Sequence, residues 1–195
     1  MNIFRKANFL LSITRSQEIV RRYFVVNGFD GALTMLGMIL GFQFSATTPL
    51  SVTLNACMGA AIALGVSGIS SAFISEQAER RRALLKLEEA MLEDLQESAH
   101  SEAVRWVPMI IALVNGSAPL LFSLIILSPL LLTQAGFSLP ISPLTLAILL
   151  ALTIVFLLGV FLGRIAGTSW LGSGLQTLFI ALTTSLLIFL FTGGE

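Results

Sequence analysis

The chain has 195 residues and no net charge, with 11% charged against 55% hydrophobic side chains and a mean hydropathy of +0.91. A soluble domain carries about 25% charged residues, so the composition excludes an ordinary water-soluble globule, and a zero balance points to neither nucleic acid nor an acidic partner. Several apolar runs exceed the roughly 18 residues that cross a bilayer as a helix, which makes the class a polytopic α-helical membrane protein.

In chain order, MNIFRKANFLLSITRSQEIVRR (1–22) reads as a basic amphipathic helix lying in the membrane interface. Its apolar run is short and interrupted by Arg15, and no small-residue cleavage site follows, so it is not read as a signal peptide. Five spans are predicted at about 23–44, 50–75, 106–132, 143–163 and 170–191. Spans one and two thus occupy 23–75 and spans three to five occupy 106–195. Between them, 76–105 is the only long hydrophilic segment, predicted as one acidic amphipathic helix. Cys57 lies inside span two; as the single cysteine it excludes an intrachain disulfide and reads as a small hydrophobe.

Cytoplasmic loops collect Lys and Arg. Arg5, Lys6, Arg15, Arg21 and Arg22 precede span one, Arg80, Arg81, Arg82, Lys86 and Arg105 separate spans two and three, and Arg164 follows span four. All the basic residues thus fall on one side, which predicts a cytoplasmic N-terminus and an external C-terminus. Tyr23, Trp106 and Trp170 fall at the same ends, where amphipathic rings anchor.

Asp30 is the only acid well inside a span. Intramembrane ionisable groups are costly and usually face a bundle interior or a water-filled cavity. At about 100° per residue, Asn27, Asp30, Thr34 and Met38 share a sector of about 80°, bordered by Gly31, Gly37 and Gly41, whose size admits a neighbouring helix. Carboxylate, amide and hydroxyl oxygens suit hard or borderline divalent cations, and a thioether adds softness for Fe²⁺. The plain alternative is a structural acid, protonated or capped by a neighbour.

In the hydrophilic segment, Leu84, Leu85, Leu87, Met91, Leu92, Leu95 and Ala99 share one helical face, while Glu89, Glu93, Glu97 and His100 share the other. A cation between acids at i, i+4 would turn their repulsion into attraction. Glu97 and His100 also form the Glu-x-x-His spacing of carboxylate-bridged di-iron bundles, although a single copy is common on solvated helices, and a solvated acidic face is the plain alternative. Pro119, within span three, would kink its helix. No nucleophile-elbow, metalloprotease or phosphate-loop pattern occurs, and the chain is not expected to be an enzyme.

RRYFVVNGFDGALTMLGMILGF resembles the first span of vacuolar iron transporter family proteins, in which an Asn-Asp-Gly-type turn sits in a glycine-rich helix. SGISSAFISEQAERR resembles the end of their second span, with Gly68, Ser71 and Glu76 in agreement. NGSAPLLFSLIILSP resembles their third span and SGLQTLFIAL the start of their fifth. The resemblance implies a dimeric exporter of Fe²⁺ or Mn²⁺ driven by proton exchange. It places Asp30 on the path, Glu76 at the cytoplasmic mouth, and Glu79, Glu89, Glu93 and Glu97 as acids that gather metal. Ala72 replaces the family's span-two methionine, for which Met38 or Met35 would substitute; Ser75 and Gln77 replace its Gly and Tyr, and the insert is too short for the three-helix metal-binding domain of larger members.

The expectation is therefore a homodimer in a prokaryotic cell membrane that moves a divalent metal against protons and holds no permanent cofactor. Two other readings use the insert: a non-transporting membrane protein that docks a partner through Leu84, Leu87, Met91 and Leu95, and a ferroxidase-like di-iron centre built across a dimer from Glu93, Glu97 and His100.

Overall fold

The computed structural model describes residues 3–14, 16–44, 48–92, 95 and 98–192, and every regular element among them is helical. The order is α1 (Ile3–Ile13), α2 (Gln17–Phe44), α3 (Leu50–Met91), α4 (Ala99–Gln134), α5 (Pro143–Ile165) and α6 (Trp170–Thr192). The five helices α2 to α6 are each long and apolar enough to cross a membrane, and each contains one predicted span. Their starts at Leu50, Pro143 and Trp170 coincide with the predicted ones. At Pro143 the reason is local: proline at the first helical position gives up an N–H that has no intrahelical partner there.

The segment expected as one helix over 76–105 is instead divided. Residues 76–91 continue α3, and 99–105 open α4. No glycine or proline separates the end of span two from the acidic stretch, so α3 runs on for 42 residues. That is roughly 60 Å at 1.5 Å per residue, twice the hydrocarbon thickness of a bilayer. The helix ends at Met91, and the next residue, Leu92, takes φ 52°, the left-handed conformation that terminates helices. The N-terminal stretch also divides, because 1–22 holds both α1 and the first turns of α2.

The helices form two compact units, with α2, α3 and α4 contributing to both. Unit 1 comprises Met1–Val26 and Gly65–Ser117, and unit 2 comprises Asn27–Leu64 and Ala118–Glu195. Unit 2 holds the larger apolar core, in which Met35, Leu36, Ile39, Cys57, Ile126, Leu127 and Leu130 are fully buried. Its α5–α6 hairpin turns at Gly167 (φ 67°), where Thr168 N–H donates to Gly163 O and closes the helix end. Small residues then let the two helices mesh: a methyl group at Gly163 would sit 2.6 Å from Ser173 Oγ, and one at Gly174 would sit 2.7 Å from the Phe156 ring.

Unit 1 has a smaller apolar cluster of Leu10, Ala103, Val107 and Ile111. Its α3 and α4 touch backbone to backbone. A methyl group at Gly68 would lie 3.1 Å from Gly116 Cα, one at Gly116 would collide with Gly65 O, and Asn115 Nδ2 donates to Gly68 O at 2.7 Å.

Candidate functional site

In unit 2, Asp30 stands at the fourteenth of the 28 residues of α2. Its side chain is exposed on the surface of the chain, while Asn27, Thr34 and Met38 beside it are half-buried. The residue after it is wedged: a methyl group at Gly31 would fall 2.7 Å from Pro119 Cα and 2.8 Å from Pro119 O. α2 therefore meets α4 closely where Gly31, one residue from Asp30, faces Pro119. Gly37 has only ordinary contact, with Ile188 at 3.4 Å, and Gly41 has no neighbour within 4 Å. Of the three glycines expected to admit a helix, Gly31 does so in full. Met35, the other thioether considered, is fully buried in the core, whereas Met38 packs at its margin.

In unit 1, Glu76 is buried at 7% exposure and faces Arg80 one turn along α3, with Arg80 Nη2 3.4 Å from Glu76 Oε2. Tyr23 O–H points to Glu76 Oε1 at 3.5 Å. The shortest contact of Arg80 lies elsewhere: Nη2 donates to Ser16 Oγ at 2.8 Å, and Nη1 reaches Thr14 O at 3.4 Å. The guanidinium thus ties the α1–α2 junction to α3 while neutralising Glu76. A buried charge of either sign is tolerable only when so paired.

Among the described residues the remaining acids do not gather. Glu79 and Glu89 are exposed on α3, and Glu88 accepts the Leu95 N–H at 3.2 Å. Glu93 and Glu97 lie outside the described residues. His100 is on α4, across the break at Leu92 from Glu89. It lines a cavity of about 230 Å³ with Ile13, Leu84, Leu87 and Arg80, so the charged group beside it is a cation. Leu84 and Leu87, two residues of the proposed docking stripe, face that cavity. Among the described residues no three His, Cys, Asp or Glu side chains are placed to hold one metal ion together.

Sequence reasoning grouped Arg80 with the positive flank and Tyr23 with the membrane anchors, and missed that both serve Glu76. The i, i+4 spacing of Glu76 and Arg80 was a usable signal. The link to Ser16 was not, because it joins residues 64 positions apart.

Fold and site together define a polytopic α-helical membrane protein with a lone acid in its first span and a neutralised acid at the end of its second. The chain is 32% identical over 181 residues, 91% of each chain, to an uncharacterized protein of Methanocaldococcus jannaschii, and it belongs to that protein's family. No family model and no solved structure matches it.

Proposed function

We propose that the protein is a divalent-metal transporter that exports Fe²⁺ or Mn²⁺ from the cytoplasm in exchange for protons. The observation that carries this reading is Asp30: an acid in the middle of an apolar helix, exposed on the chain's surface and in no ion pair among the described residues. An ionised carboxylate facing hydrocarbon costs roughly 3 kcal/mol or more. It is therefore protonated, covered, or occupied by a cation, and one group that alternates between proton and metal couples the two fluxes. A second copy of the chain supplies the cover, which agrees with the homodimer that the family resemblance implies. Asn27, Thr34 and Met38 complete the ligand set at its edge.

In this reading the N-terminus and the hairpin of α3 and α4 lie in the cytoplasm, on the arginine-rich side. Glu79, Glu89, Glu93, Glu97 and His100 raise the local metal concentration as a diffuse acidic and imidazole surface. Glu76 takes metal only when Arg80, which already holds Ser16, is drawn away from the carboxylate. The archaeal relative fits placement in a prokaryotic cell membrane.

The test is metal uptake into sealed proteoliposomes, with Fe²⁺, Mn²⁺, Zn²⁺ and Ca²⁺ compared under an imposed pH gradient. Asp30→Asn is expected to abolish both metal flux and the accompanying proton flux while the protein elutes unchanged in detergent. Undiminished flux in that variant would end the mechanism.

A further inference from the structure

Beyond the point where Asn115 and Gly116 close against Gly68, α3 and α4 of unit 1 part and leave a cleft of about 760 Å³. Three arginines line it, Arg81 and Arg82 from α3 and Arg105 from α4, together with the polar side chains of Gln77 and Ser101. No acid is among its described lining residues. Glu76, the buried acid of this unit, pairs with Arg80 and not with one of these three. Three arginines thus border one concave space with no carboxylate among its described lining, and the Arg105 guanidinium also lies over the Trp106 ring, 6.0 Å from its centroid; positive charge gathered in this way favours an anion.

We propose that this cleft seats the phosphodiester headgroup of an anionic phospholipid. Guanidinium forks match phosphate oxygens in bidentate geometry, and basic clefts between membrane helices bind such headgroups at their polar ends. The apolar surroundings select a lipid over free phosphate. Ile74 and Val104 line the same cleft, Phe73 and Ile74 are exposed along α3, and Trp106 and Met109 are exposed along α4. Acyl chains continuing from the headgroup cover those side chains, which inorganic phosphate would leave bare. The inference rests on the helices crossing a membrane and not on metal transport, so its failure leaves the transport reading untouched.

Native mass spectrometry of the full-length protein released from nanodiscs tests it, with phosphatidylglycerol and phosphatidylcholine compared as probes. The expected result is one retained phosphatidylglycerol per chain and no retained phosphatidylcholine. Arg81→Gln/Arg82→Gln/Arg105→Gln is expected to weaken retention about a hundredfold, at roughly fivefold for each arginine. Arg21→Gln/Arg22→Gln/Arg164→Gln removes the same charge outside the cleft and is expected to change it little. Should the triple cleft variant aggregate, Arg82→Gln alone carries the test, with a loss of about fivefold. Equal losses in the two triple variants would reduce the effect to diffuse surface charge, and retention unchanged in the cleft variants would remove the site. Complete displacement of the lipid by millimolar inorganic phosphate would make phosphate itself the ligand. Each of these three outcomes overturns the proposal.

Discussion

The two units place their apolar-set acids differently. Unit 1 takes Glu76, Ser16 and Asn115 into its interior and gives each a partner: Arg80 for the acid and the hydroxyl, Gly68 O for the amide. Unit 2 fills its interior mostly with hydrocarbon, takes in the hydroxyls of Thr53 and Ser123 but no acid, and leaves its one span acid, Asp30, on the outside. A buried ion pair does structural work and resists change, because removing either partner strands the other charge, whereas an acid exposed in an apolar setting is available to a proton, a metal or a second chain. The contrast separates two carboxylates that the family resemblance placed on one route.

The sharpest way to break that contrast is to remove Glu76. Glu76→Gln leaves the Arg80 guanidinium buried without its counter-charge, which costs about 3–5 kcal/mol in comparable buried pairs. Because Arg80 keeps Ser16 and Thr14 as partners, the low end is expected, read as a lowered midpoint of thermal unfolding in detergent. Glu76→Gln/Arg80→Gln removes both charges and is expected to recover most of the loss. If Glu76 also handles metal, the double variant regains stability but not flux. Recovery of both would confine Glu76 to a structural role and leave Asp30 alone on the path.

Next in size are the close helix contacts. Gly116→Ala in unit 1 and Gly31→Ala in unit 2 both drive a methyl group into a neighbouring helix backbone, at Gly65 and Pro119 respectively. Overpacking of this kind costs about 1–3 kcal/mol, and backbone yields less readily than a side-chain tip. Gly41→Ala is the matched control: its methyl group meets nothing within 4 Å, and alanine is favoured over glycine in a helix by about 1 kcal/mol. Thermal unfolding is expected to fall for the first two variants and to hold or rise for the third. A fall for Gly41→Ala would show that this face of α2 is covered when the protein is assembled, as a second copy beside Asp30 requires.

How much of this was legible in the sequence follows from which signals are local. The five spans were readable because apolar length is a property of a single segment, and Pro143 and Trp170 mark their starts. The division of the hydrophilic segment was not. The apolar stripe from Leu84 to Ala99 keeps helical spacing through Leu92, and neither glycine nor proline interrupts it, so periodicity alone carried one helix across the break. The sector of Asn27, Asp30, Thr34 and Met38 was legible as an angle, but its exposure was not, since periodicity says which residues share a face and not what covers it. Gly31, Gly37 and Gly41 looked equivalent in sequence; only the position of Pro119 distinguishes the first from the other two. The engagement of Arg80 with Ser16 depends on a contact between distant segments and left no trace in local pattern.

The smallest expected effect tests whether the hydrocarbon interior of unit 2 depends on its few polar contacts at all. Thr177 Oγ1 lies 3.1 Å from Val155 O on the facing helix and 2.9 Å from Gly174 O in its own helix. One hydroxyl proton is shared between two acceptors, so its contribution across the α5–α6 contact is modest. Hydrogen bonds between membrane helices average about 0.6 kcal/mol when removed, partly because the separated helices also find partners. Thr177→Val keeps the shape that fits against Gly159 and removes only that bond, whereas Gly159→Ala keeps the hydroxyl but adds a methyl group that collides with Thr177 Oγ1 and lies 2.8 Å from Ser173 O. Unfolding of the two variants in the same detergent is expected to show the glycine substitution as the more damaging by at least twofold in free energy, because this hairpin is held by close approach and only trimmed by hydrogen bonding. A larger loss for Thr177→Val would reverse that order, and unit 2 would then rely on polar contacts as unit 1 does.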